Sequence, residues 1–207
     1  MTLPTSSLYS IPDPDGSIDA LHDALFAGTI MRFDDLVPMR EIVAYAQRFL
    51  ADIFAPHAPP EIHRHHDRNG LAQRLSEVQR DFSNDPEVKR LFGALFETIG
   101  FDPTDTARDR LILRFQPPVP AEGGPHRARS TATVGFHRDS WGSNLYAQVN
   151  WWAPVYPVTV GRTFAFLPDL FARPLANDSA DFDLAEVIAH NRQAPAAEDR
   201  KRMVPRL

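Results

Sequence analysis

A chain of 207 residues, 43% hydrophobic and 24% charged, is long enough to bury a sizeable core in one globular domain. Its formal net charge of −5 argues against nucleic acid or an anionic membrane as the main partner. The sequence contains no cysteine, which excludes disulfides, thiolate catalysis and Cys-ligated zinc or iron–sulfur centres, so any transition metal must be held by nitrogen and oxygen.

The N-terminal MTLPTSSLYS has neither a basic flank nor an apolar core, and no run approaches membrane-spanning length. A cytoplasmic protein is the expectation. Residues 1–16 read as an extended lead-in ending in a turn, with Ser17 placed to cap a short helix carrying Ile18, Leu21 and Leu25. From Pro38 to Phe54 the residues Met39, Ile42, Val43, Ala46, Phe49, Leu50 and Ile53 keep to one helical face. The stretch 55–70, APHAPPEIHRHHDRNG, breaks that helix and reads as a solvated, histidine-rich loop, since nothing in it converges the imidazoles. A weaker amphipathic helix over 71–82 follows.

Asn84-Asp85-Pro86 marks a clear helix start, with Asn84 or Asp85 as cap and the proline in the first turn. Val88, Leu91, Phe92, Leu95, Phe96 and Ile99 form its stripe, and Gly100 ends it. After Asp109 the period changes. Leu111, Leu113 and Phe115 alternate with Ile112 and Arg114, which predicts a half-buried strand over 110–116. A Pro/Gly loop over 117–130 carries Arg127 and Arg129; strand-like runs follow at 145–154 and 163–167. Asp183 is placed to cap a helix over 184–191, ahead of a polar tail. The expected plan is α+β in one domain: a helical part at 1–108 and a β part at 109–207.

The chemistry gathers at 132–154, ATVGFHRDSWGSNLYAQVNWWAP. His137 and Asp139 stand at i and i+2, which on an extended segment puts both on one side. Two such ligands with open positions opposite suit a two-histidine, one-carboxylate iron(II) site. With 8 His and 27 Asp+Glu, about one His-x-acid triplet arises by chance, and a second, His65-His66-Asp67, lies in the polar loop. Only the triplet at His137 ends an apolar run and precedes an aromatic-rich strand. Gln148 and Asn150 alternate to one face of that strand, placed to bind a cosubstrate or to orient a ligand, with Trp151 or Trp152 filling core. Arg114 and Arg129 are further groups that could meet an anionic substrate.

The strings FHRDSW at 136–141, QVNWWAP at 148–154, FAFLP at 164–168 and FARPLANDS at 171–179 resemble the iron(II)/2-oxoglutarate-dependent oxygenases of the phytanoyl-CoA-hydroxylase-like branch of the cupin superfamily. The resemblance covers roughly residues 109–187. It implies a double-stranded β-helix (cupin, jelly-roll) core with N-terminal helices packed on it, and His137 and Asp139 as the first two iron ligands. It also implies 2-oxoglutarate as cosubstrate and a small-molecule substrate. Such a family needs a distal histidine and, about ten residues on, an arginine for the cosubstrate's outer carboxylate. His190 and Arg200 have that spacing in a helical rather than strand-like setting, and His126 on the loop is the other candidate. The alternative is a truncated or catalytically incomplete cupin-fold protein that lacks the third iron ligand, acting as a binding module or a fragment; a homo-oligomer is a further expectation. A sugar-binding or lyase-type cupin that uses the pocket without iron redox chemistry is a third reading.

Overall fold

A computed structural model describes residues 9–10, 18–116, 136–143 and 147–193. The described residues are mostly helical. They comprise α1 (Ile18–Phe26), α2 (Val37–Phe54), α3 (Arg68–Asn84), α4 (Pro86–Ile99), the four-residue α5 (Ser140–Ser143) and α6 (Leu184–Gln193). Short 3-10 turns occupy Pro59–Arg64, Val160–Arg162 and Pro168–Leu170. Strand is confined to β1 (Tyr9–Ser10) and β2 (Met31–Arg32), a parallel pair that matches Tyr9 with Met31 and Ser10 with Arg32. No helix among the described residues is long and apolar enough to cross a membrane.

By its internal contacts the chain divides into two units. The first comprises 1–62, 78–113 and 151–173; the second comprises 63–77, 114–150 and 174–207. In the first unit, α2 packs on α4, and Ile42, Leu91 and Leu95 form a buried cluster with Met39, Phe92, Ile99 and Leu111 against it. Burying side chains of this size stabilises by about 1.5–3 kcal/mol each. Phe82, 1% exposed, lies edge-on to Phe49 at 5.4 Å and beside Tyr45 at 6.5 Å. The ends of α4 form as its sequence dictates. Asp85 accepts from the backbone N–H groups of Glu87 and Val88, Pro86 opens the first turn, and Gly100 closes the helix at φ 91°. That left-handed conformation carries no steric cost only in glycine. Asp85 also accepts from the Tyr45 hydroxyl at 2.7 Å, tying the cap of α4 to the side of α2.

The double-stranded β-helix that the resemblance implies is not formed by the described residues, which make helices, irregular segments and the β1–β2 pair, with no barrel and no cupin core. Residues 110–116 keep the burial rhythm of a strand. Leu113 is buried, Leu111 and Phe115 are half-buried, and Ile112, Arg114 and Gln116 are exposed. They pair with no other strand among the described residues. Period-two alternation reports an extended chain lying on a surface, whereas a strand also needs a neighbour for its N–H and C=O groups. Ser83 takes one such carbonyl instead, donating to that of Leu111 at 2.9 Å.

Residues 148–154 and 163–167 are likewise irregular. Pro154, Pro157 and Pro168 remove ladder donors in and around them, which confines such a segment to an edge or to no sheet at all. The Trp151–Val155 segment is instead pinned to α2, where the Gln47 side-chain amide donates to the Val155 carbonyl at 2.7 Å. Trp151 sits between Phe33 at 5.1 Å and Phe101 at 6.0 Å. Trp151 is half-buried there, whereas Trp152 is half exposed and meets Phe164 edge-on. Asp183 caps α6 by accepting from Ala185 and Glu186, as the sequence predicts. Ser17, His126, Arg127, Arg129 and Arg200 lie outside the described residues.

Candidate metal centre

His137 and Asp139 belong to the second unit, and they are not on a strand. The chain turns at Asp139 into α5, where the N–H groups of Gly142 and Ser143 bond to the Asp139 carbonyl at 3.0 and 3.1 Å. The turn nevertheless brings the two side chains together, with His137 Nε2 3.2 Å from Asp139 Oδ1. The other carboxylate oxygen, Oδ2, accepts a short hydrogen bond from the Asn150 amide across eleven residues of sequence. The Asn150 carbonyl oxygen in turn accepts from the Gln148 amide at 2.9 Å, and the Gln148 carbonyl oxygen accepts from the Ser143 hydroxyl at 3.1 Å. All four residues singled out in the sequence therefore meet in one hydrogen-bonded array. The alternation of Gln148 and Asn150 was legible; the part of Ser143 was not, because its contact depends on the turn.

The array is open to water. The Asp139 side chain is 52% exposed and that of His137 is 25% exposed. The hydrogen bond with His137 is the main influence holding the Asp139 carboxyl below its usual range. Burial opposes it, while the His137 charge, the Asn150 amide and the more distant Arg114 guanidinium add to it. Asp139 is thus kept ionised and its free lone pairs are aimed, which is what a metal ligand requires.

The donor spacing fits a metal ion. Nitrogen and oxygen ligands at about 2.0–2.2 Å from a metal are separated by roughly 3.0 Å at a right angle and 3.4 Å at the tetrahedral angle. The observed 3.2 Å falls between these.

No group of three His, Cys, Asp or Glu that could hold a metal forms among the described residues, so the metal-binding expectation is corrected: His137 and Asp139 gain no third such donor there. His190 is exposed in the last turn of α6 and is not grouped with His137 and Asp139. His190 stands one turn beyond the buried Val187, near the C-terminal end of α6. The histidine-rich stretch 57–66 also assembles no such group. Its Ile62 is buried within a 3-10 turn, and Asp67 of the second His-x-Asp triplet caps α3 by accepting from Gly70 at 3.0 Å. No protein-family model, curated protein or solved structure matches this chain.

Proposed function

We propose that the chain is a non-haem iron(II)/2-oxoglutarate-dependent oxygenase of hydroxylase type, acting on a small molecule, with His137 and Asp139 as two of its iron ligands. The observation that supports this is the Asp139 carboxylate, which faces His137 at 3.2 Å on one oxygen and is fixed by Asn150 on the other. A surface ion pair needs no such second anchor, whereas a ligating carboxylate does.

Iron(II) bound there would chelate the 2-oxo acid and activate oxygen for attack on a C–H bond. The residues of the chain do the rest. On losing the proton that Nε2 shares with Asp139, His137 would supply a nitrogen donor, and Asp139 would supply the charge. Asn150 is a positioning residue that prevents the carboxylate from rotating, and Gln148 and Ser143 keep the Asn150 amide turned the right way. The half-exposed face of Asp139 leaves room for the cosubstrate.

The test is calorimetric titration of 2-oxoglutarate into the protein without oxygen, with and without iron(II). Binding that requires iron and vanishes in Asp139→Ala supports the reading; iron-independent binding, or none, refutes it. A second reading, metal-dependent binding of an anion without turnover, is favoured by the absence of a third donor among the described residues. Succinate release in air separates the two.

A further inference from the structure

A second constellation lies in the first unit, far in chemistry from the His137 pair. A cleft of about 150 Å³ is lined by Lys89, Arg108 and Arg110 around an apolar wall that includes Phe92 and Leu111. Lys89 projects from the first turn of α4, and the two arginines come from the irregular segment that follows this helix. Among the described residues none of the three is in an ion pair, although the other cation of that turn, Arg90, is bound to Glu87 at 2.7 Å. The one carboxylate lining the cleft, Asp109, is turned to the backbone, with Oδ1 accepting from the Arg110 N–H at 2.7 Å.

Arg108 is held in place without an acid. Its guanidinium carbon lies 5.5 Å from the centre of the Phe92 ring and 5.4 Å from that of Phe96. Those two rings stand at 85° to each other, so the guanidinium rests in the angle between them. It also approaches the helix at Gly93, where a Cβ would lie 3.7 Å from Nη1 and 3.9 Å from Nη2. A guanidinium ordered by aromatic faces keeps its N–H donors for a ligand and loses little freedom when it binds one.

We propose that this cleft binds a phosphorylated small molecule, with its phosphate held by Lys89, Arg108 and Arg110. Three cations and one carboxylate lining so small a cleft leave a net positive charge, which favours a compact anion that accepts hydrogen bonds from several directions. A tetrahedral phosphate dianion meets that demand with more charge and more acceptor directions than a planar, singly charged carboxylate. The net charge of −5 gives no general attraction for anions, so binding here would have to be local.

The experiment is calorimetric titration of inorganic pyrophosphate into the metal-free full chain at low ionic strength. One saturable site is expected, weakened by added salt. Arg108→Gln and Lys89→Gln should each weaken it by about tenfold or more, as loss of a charge-assisted hydrogen bond does. Arg80→Gln, which alters an arginine paired with Asp81 on the surface, should leave it unchanged, and so should His137→Ala. Succinate should bind at least about tenfold more weakly than pyrophosphate. Absence of saturable pyrophosphate binding, equal affinity in Arg108→Gln and Lys89→Gln, or succinate binding as tightly would overturn the proposal.

Discussion

Replacing Asp85 by alanine tests the device that joins α2 to α4. One carboxylate oxygen caps α4 through Glu87 and Val88, and the other receives the Tyr45 hydroxyl. Loss of an N-cap costs about 1 kcal/mol. Loss of a partly buried hydrogen bond to a charged acceptor adds about 1 kcal/mol. Asp85→Ala should therefore destabilise by about 2 kcal/mol, and Tyr45→Phe, which keeps the ring against Phe49 and Phe82, by about 1 kcal/mol. The two changes share one bond, so the double variant should cost about 2 kcal/mol rather than 3. Urea denaturation followed by circular dichroism measures all three. A loss below about 0.5 kcal/mol for Asp85→Ala, or strict additivity, would refute the reasoning.

The same bond sets a pH dependence. The hydrogen bond to Asp85 is the main cause raising the Tyr45 hydroxyl above its usual range, with burial second. A raised folded-state value contributes stability that is fully present below the unfolded tyrosine range. It is lost as pH rises through the folded value. The alkaline fall in stability should be shallower in Tyr45→Phe, and an unchanged slope would count against the bond. At Asp139 the sign is opposite. Its carboxyl is held low, so its contribution is present above the unfolded carboxylate range and disappears as pH falls through the folded value. In metal-free protein, carbon NMR should show Asp139 titrating higher in His137→Ala than in the parent, and no movement would contradict the hydrogen bond. Gly100→Ala should cost roughly 1–2 kcal/mol from backbone strain alone, because φ is 91° and nothing lies within 4 Å of the added methyl. Unchanged thermal stability would mean that the αL turn relaxes.

The helices were legible because their signals are local. Asp85-Pro86 and Gly100 mark both ends of α4, and the stripe through Ile42, Ala46 and Leu50 marks the buried face of α2. The β part was misread because its signal is only half local. Leu111-Ile112-Leu113 alternates as a strand does, but whether a neighbouring strand exists is decided by chain far away in sequence. The double-stranded β-helix followed from that misreading and from the motif strings. The His137–Asp139 pair outlasted the correction, since i and i+2 side chains also meet when the chain turns into a short helix after them. Lys89, Arg108 and Arg110 drew no notice as a group. Lys89 and the arginines lie about twenty residues apart, and the contact of Arg108 with Phe92 and Phe96 depends on how the chain returns along α4.

Metal binding by His137 and Asp139 is the property on which the proposed activity depends. Equilibrium dialysis of the purified chain against iron(II) under argon, followed by metal analysis, measures this directly. One iron per chain is expected in the parent and in His65→Ala. Loss of one of the two donors should abolish stoichiometric binding in His137→Ala. Iron content unchanged in His137→Ala, or lost in His65→Ala, would contradict the assignment.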